Sequence, residues 1–303
     1  MHMFSASPEH FPELLKAQLL PRENFVRILM IGDVVGKPGR QILKQSLSLL
    51  RPRLELDFVT INGENLAGGF GITSKIFDEL MSANVDAVTM GNHWADKPDV
   101  HQIRAAHKNL VLPQNLLDVT AVNQIPEFTL QRTGQTISIL NLMGQFAMKD
   151  SYADPFAFVE KNLAVLKAKK QSGQNILIAD VHAEASSEKQ AIAKFLDGTL
   201  AGFIGTHTHT PTSDERLSAA GTAFITDVGM TGPYNSIIGM DTEKSLRRYF
   251  GRKEKKPQEV AAGQEWFCGF LLEVGIKTGL TAQAHRIQYR SEHSTWLCST
   301  VHN

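Results

Sequence analysis

Cysteine is nearly absent: the 303-residue chain has two, Cys268 and Cys298, and neither lies in a CxxC pair. A disulfide scaffold is therefore not indicated, and a reducing, cytoplasmic setting is expected. Net charge is absent too, because 31 Lys+Arg balance 31 Asp+Glu. That removes the electrostatic ground for bulk nucleic-acid or membrane-surface binding. No apolar run approaches the roughly 18–20 residues of a membrane span. The opening segment lacks the basic start and apolar core of a secretory signal. No GxxxxGK[ST] sequence is present, which argues against a P-loop nucleotide-binding protein. Internal repeats and low-complexity tracts are missing as well.

What is present suits an α/β protein. Hydrophobic residues make up 42% of the chain, enough for a substantial core. Short apolar runs alternate with longer helical patterns. Strands are expected at 26–31, 58–61, 85–90, 110–112, 136–142, 176–179, 201–204 and 223–226. Helices are expected at about 39–50, 74–83, 96–107, 155–170 and 186–197. Thr73 stands where an N-cap would, and Gly198 where helices often end. Residues 266–274 and 281–289 read as a hairpin around Lys277-Thr278-Gly279. Arg247 to Gln258 reads as an exposed loop. This order argues for an α/β sandwich with mixed sheets, occupying residues 26–291 as one domain. Residues 1–25 form an N-terminal extension, either helical (Phe11, Leu14, Leu15 and Leu19 fall at helical spacing) or flexible. Residues 292–303 form a C-terminal tail.

The polar residues carry the functional signal. Five strand candidates each end in a short polar cluster: Gly32-Asp33, Asn62-Gly63-Glu64-Asn65, Gly91-Asn92-His93, Asp180-Val181-His182, and Gly205-Thr206-His207-Thr208-His209. Ligands of α/β sheets bind beyond the carboxyl ends of the strands, so the five should converge. Carboxylate, imidazole and amide oxygen are the donors that hold divalent metals. On extended backbone, residues i and i+2 point to one side, so His207 and His209 can both reach the site. Each cluster alone has a plainer reading, as a cap, a turn or a structural histidine. Their joint occurrence in order makes the case.

The same residues resemble the calcineurin-type metallophosphoesterase signature, GDxHG, GDxxD, GNHE/D, a lone His and GHxH. They are closer still to its YmdB-like branch of bacterial cyclic-nucleotide phosphodiesterases. The branch is matched by Asp33-Val34-Val35-Gly36-Lys37-Pro38-Gly39-Arg40, by Asn62 to Gly69, by Gly91-Asn92-His93, and by Thr226 to Pro233. The resemblance implies a four-layer αββα sandwich of two mixed β-sheets flanked by helices. It implies two metal ions, with iron expected and manganese or zinc compatible. Asp33, Glu64, Asn65 and His209 would hold one ion, and Glu64, Asn92, His182 and His207 the other. Hydroxide bridging the ions would attack phosphorus, and His93 would serve as general acid rather than ligand.

The implied substrate is a small phosphodiester, a cyclic nucleotide of the 2′,3′ type. Two rivals stay open: a phosphomonoesterase or nucleotidase of the same superfamily, and a regulatory, RNA-linked protein whose metal site is mainly structural. A homo-oligomer is also left open. The sequence departs from the superfamily pattern at Val35, where a His is usual, and at Glu64, where an Asp usually bridges. It departs from the branch at Thr231 and Asn235, where Cys and Asp are expected. Phe70 and Tyr234 are candidates for stacking on a base.

Overall fold

The computed structural model describes residues 2–116, 125–148, 152–171, 174–251 and 258–302. The architecture follows from strands that are apolar on both faces. In β2 (Phe25–Asp33), Ile28 and Met30 join a core between two sheets, while Leu29 and Ile31 join a second core under helices. Alternation along a strand divides one apolar run between two cores. β8 (Asn175–His182) does the same, with Ile176 and Ile178 facing the other sheet and Leu177 and Ala179 facing helices.

The first sheet has nine strands. Parallel to β2 lie β3 (Phe58–Asn62), β4 (Ala87–Thr89) and β5 (Leu110–Val111). Antiparallel on its other side run β13 (Glu265–Gly275), β14 (Thr281–Arg290), β15 (Thr295–His302) and β1 (His2–Ala6). The short β12 (Gly232–Pro233) pairs with β13. The second sheet has six strands, in the order β10 (Arg216–Leu217), β11 (Ala223–Ile225), β9 (Gly202–Thr206), β8, β7 (Thr136–Met143) and β6 (Glu127–Thr129). Its four central strands are parallel.

Helices α1 (Phe11–Lys16), α2 (Gly36–Arg53), α3 (Ser74–Ser82) and α4 (Asp99–Ala106) cover the first sheet through Leu15, Leu43, Phe77 and Ile103. Helices α5 (Pro155–Gln171) and α6 (Ser186–Phe195) cover the second through Leu166 and Ile192. The result is the expected four-layer αββα sandwich of mixed sheets.

Several local features differ from the sequence reading. The expected extension and tail contribute strands to the first sheet: β1 pairs with β15 from His2↔Thr300 to Ala6↔Trp296. Phe11 and Leu15 are fully buried, Phe11 stacking on Trp296 at 4.9 Å. Burial of such a side chain contributes about 1.5–3 kcal/mol, which holds α1 against the sheet. Thr73 makes no side-chain cap; Asp99 Oδ2 instead accepts from Ser74 N at 2.8 Å, capping α3 from the neighbouring helix. The segment read as a loop from Arg247 begins inside α7 (Thr242–Tyr249), which Asp241 caps by accepting from Lys244 N at 2.9 Å. Residues 252–257 of that segment lie outside the described residues. Among the described residues, no helix is long and apolar enough to cross a membrane.

Candidate metal centre

Where the two sheets face each other, the carboxyl ends of β2, β3 and β4 meet those of β8 and β9. All seven candidate ligands come together there. Glu64 Oε1 lies 3.2 Å from His182 Nε2, which lies 3.0 Å from Asn92 Oδ1 and 3.1 Å from His207 Nδ1. On the other side, His209 Nε2 lies 3.2 Å from Asn65 Oδ1 and 4.0 Å from Asp33 Oδ1. Among the described residues, two groups have ligand atoms all within 4.8 Å of one another: Asp33, Glu64 and His209, and Glu64, His182 and His207. Glu64 belongs to both.

The local backbone explains the convergence, and in one place corrects the expectation. β9 ends at Thr206, and His207 (φ 102) and His209 (φ 63) adopt positive φ. Left-handed turns, not strand alternation, aim the two imidazoles. Such backbone costs energy outside glycine and persists only where surrounding contacts enforce it. Here Asp227 enforces it: its Oδ2 accepts from Thr208 N at 3.1 Å and from Thr208 Oγ1 at 2.8 Å. The buried Lys189 Nζ holds that carboxylate at 3.0 Å. Gly91 is required for space, since a Cβ there would stand 2.3 Å from Glu64 Oε2 and 2.4 Å from His182 Nε2.

Hydrogen bonds behind the ligands set their tautomers. Ile238 O can only accept, so His209 donates to it from Nδ1 at 2.8 Å and leaves Nε2 bare. Asn65 Nδ2 donates to Gly69 O at 3.0 Å, which turns Oδ1 toward that bare nitrogen. His207 Nε2 faces the Glu184 carboxylate at 3.2 Å, leaving Nδ1 for the cluster. Thr206 Oγ1 donates to Asp180 Oδ1 at 2.7 Å and accepts from His182 Nδ1 at 2.9 Å. Acceptor atoms therefore face acceptor atoms, and Asp33 Oδ1 is buried with no hydrogen-bond partner. A cation resolves both conditions, and the donor set fits one.

The electrostatics agree. Burial pushes the Asp33 carboxyl up to about 6. Burial also acts to raise Glu64, but the charge and hydrogen bond of His182, with His93, outweigh it and hold Glu64 at about 2. Burial opposes charge on His182, yet Glu64 and Asp33 raise it to about 9. Burial and the neighbouring His182 push His207 down to about 3. Two fully buried carboxylates lie beside the His182 imidazole, an arrangement that favours added positive charge, as protons or as a cation.

The sequence reading placed Asn62, Asp180 and Thr206 in the polar clusters but gave them no supporting role, and it passed over Thr89. Asp180 is buried beneath the centre and accepts from Thr89 Oγ1 at 2.5 Å, Asn62 Nδ2 at 3.1 Å and Thr206 Oγ1. Thr89 and Asn62 belong to the first sheet, so this carboxylate pins the sheets together under the ligands. A signal existed, since Asn62, Thr89, Asp180 and Thr206 all interrupt apolar strands just before the candidate ligands.

His93 stands at the rim. Its backbone N donates to Glu64 Oε2 at 2.9 Å, its Nδ1 bonds Asp96 Oδ2 at 2.7 Å, and Phe70 packs edge-on against it at 5.0 Å. Tyr234 is already stacked on Trp266 at 3.7 Å and donates to His209 O at 3.2 Å. Thr231 accepts from Cys268 N at 3.1 Å, so its hydroxyl serves β13.

The family model described as YmdB-like protein matches residues 29–287. The chain belongs to the YmdB-like family. It is 37% identical over 270 residues to the 2′,3′-cyclic-nucleotide 2′-phosphodiesterase of Bacillus subtilis (strain 168), covering 88% of this chain and 98% of that relative. A crystal structure of a hypothetical protein from Thermus thermophilus superposes with a TM-score of 0.77 at 34% identity, covering 88% of this chain and 99% of that one. The crystal structure of a novel phosphatase from Mycoplasma pneumoniae gives 0.78 at 33%, covering 88% and 94%. Both share the metallophosphoesterase sandwich described above.

Proposed function

We propose that this YmdB-like protein is a dinuclear metal-dependent phosphodiesterase acting on cyclic nucleotides, of the 2′,3′ type. The membership of Glu64 in both ligand groups is the observation that carries the reading. The broader class, a hydrolase of phosphoric esters, follows from the family and from the names of its relatives. The substrate rests on the Bacillus relative.

Asp33, Glu64, Asn65 and His209 would hold one ion, and Glu64, Asn92, His182 and His207 the second. Iron is the proposed metal; manganese and zinc also suit this oxygen and nitrogen set. When bound, such ions supply an activated water and neutralise charge on phosphoryl oxygens. Asp33 and Glu64 are the only carboxylates in the ligand set, so the loaded centre keeps net positive charge for a phosphodiester anion. Asp96 orients His93 through Nδ1, leaving Nε2 to hand a proton to the leaving oxygen. Phe70 limits rotation of that ring. Two buried thiols, Cys268 and Cys298, suit a cytoplasmic setting.

The test is metal analysis of purified protein, combined with assays on 2′,3′-cyclic AMP, 3′,5′-cyclic AMP and p-nitrophenyl phosphate. Metal-dependent hydrolysis of 2′,3′-cyclic AMP, fastest of the three, is expected. Faster turnover of p-nitrophenyl phosphate would instead establish the phosphomonoesterase reading. No hydrolysis with any metal would refute both.

A further inference from the structure

A second site lies on the first sheet, away from the proposed ligands. Strand alternation places Arg286, Gln288 and Arg290 of β14 on one face. Register adds Ser299 and Leu297 of β15 beside Arg286 and Gln288, then Met3 and Ser5 of β1 beside those. These side chains line a cavity of about 390 Å³. The family match ends at residue 287, so both terminal strands and Arg290 lie beyond it.

The cavity is rich in donors and has no carboxylate in its lining. Arg290 stacks on Trp266 at 4.2 Å and, among the described residues, has no ion-pair partner. Its buried Nε has no hydrogen-bond acceptor, and neither has the hydroxyl of Ser299, which is 3% exposed. Arg286 Nε is ion-paired at 3.1 Å with Glu215, whose side chain is fully buried, so Arg290, Ser299 and Gln288 carry the unanswered donors. Gln288, 3% exposed, touches only the weak acceptor Cys268 Sγ at 3.9 Å. Buried polar groups in native proteins are satisfied, so unanswered donors around one cavity call for an acceptor. Guanidinium pairs recognise oxyanions, phosphate above all. The volume falls in the range of small-molecule sites, about 300–1,000 Å³. Met3 and Leu297 supply an apolar wall, which a lone inorganic ion would not use.

We propose that this cavity binds a phosphorylated small molecule of mononucleotide size, its phosphate held chiefly by Arg290 and Ser299, with the Glu215-paired Arg286 at its side. The site is independent of the metal centre, and its occupant need not be the substrate.

Calorimetric titration of the full-length, metal-loaded protein with 5′-AMP, and separately with inorganic phosphate, tests this. Two classes of site are expected for 5′-AMP. Asp33→Asn removes the class at the metal centre and leaves the other. Arg290→Gln weakens that other class at least tenfold and leaves the metal-centre class. Met3→Glu, at a position 66% exposed, places a carboxylate at the cavity mouth without disturbing the core and weakens the same class severalfold. Inorganic phosphate should bind this class more weakly than 5′-AMP. A single class that Asp33→Asn abolishes would overturn the proposal, as would a second class untouched by both Arg290→Gln and Met3→Glu. Loss of hydrolysis alone bears on the metal centre and not on this site.

Discussion

Replacing Gly91 with alanine should empty the metal centre while sparing the fold. The new Cβ would sit 2.3 Å from Glu64 Oε2 and 2.4 Å from His182 Nε2. Comfortable carbon contacts begin at about 3.5 Å, so each ligand atom must retreat by roughly 1 Å. Metal–ligand distances tolerate only about 0.2 Å. The displaced carboxylate belongs to both ligand groups, so both proposed ions would be affected together. Altering the support behind a single ligand typically costs about 10–100-fold in metal affinity. Moving two ligands directly should exceed that. Gly91 is not among the positive-φ glycines, so alanine brings no backbone strain. Overpacking costs about 1–3 kcal/mol, a shift of several degrees in melting temperature rather than unfolding. Elemental analysis after gel filtration, with a melting curve on the same sample, reads both quantities. A variant that retains two equivalents of metal and wild-type turnover would refute the reasoning, because the Cβ would then have found room the geometry denies it.

Four further outcomes follow from the same geometry. Glu64→Gln should lose both metal ions, while Asp33→Asn should release chiefly the ion on the His209 side; metal-to-protein ratios distinguish them. His93→Ala should keep its metal yet lose about 10²–10⁴-fold in turnover, and metal loss in that variant would make His93 a ligand. Asp96→Asn should lose less activity than His93→Ala, and more on substrates with poor leaving groups than on p-nitrophenyl esters, since only the former depend on proton donation. Asp57 gives a pH test: burial acts to raise its carboxyl, but Arg132, the Arg27 backbone N–H and Arg22 outweigh it and hold it below its usual value. Its stabilising contribution is therefore present above the unfolded carboxylate range and is lost as pH falls through the lowered value. Melting temperatures of wild type and Asp57→Asn should differ near neutrality and converge in strong acid; a constant gap would contradict this.

How much was legible depended on where each residue's partners lie in the chain. Asp33, Glu64, Asn92 and His182 were readable because each stands at or just past the end of an apolar strand, and strand ends are local signals. The seven candidates do meet, as their order along alternating strands implied. The geometry of His207 and His209 was not readable, because their positive φ is imposed by Asp227 and Lys189, which are remote from that turn. Asp180 was read as part of a polar strand end but given no role, for a similar reason. Its role is to receive Asn62 and Thr89 from the opposite sheet, and no periodicity announces contacts between sheets. β1 was missed because it has no sequence neighbour to pair with and finds β15 across the whole chain, while β15 folds back on β14, its neighbour in the chain, from Arg290↔Thr295 to Gln283↔His302. Yet the alternation of Trp296 and Cys298, both buried, was present as a signal for β15.

The position of the centre across two sheets has a consequence for folding. Asp33, Glu64, Asn65 and Asn92 come from the first sheet, and His182, His207 and His209 from the second. Neither sheet alone offers a complete set for either ion. Metal bound there would act as a clasp closed only after the two sheets have docked, so its binding free energy would be drawn from the assembled sandwich and not from either half. Chelation should accordingly loosen the seam between the sheets first, and hydrogen exchange at β3, β4, β8 and β9 should rise before that at the distant β1–β15 edge.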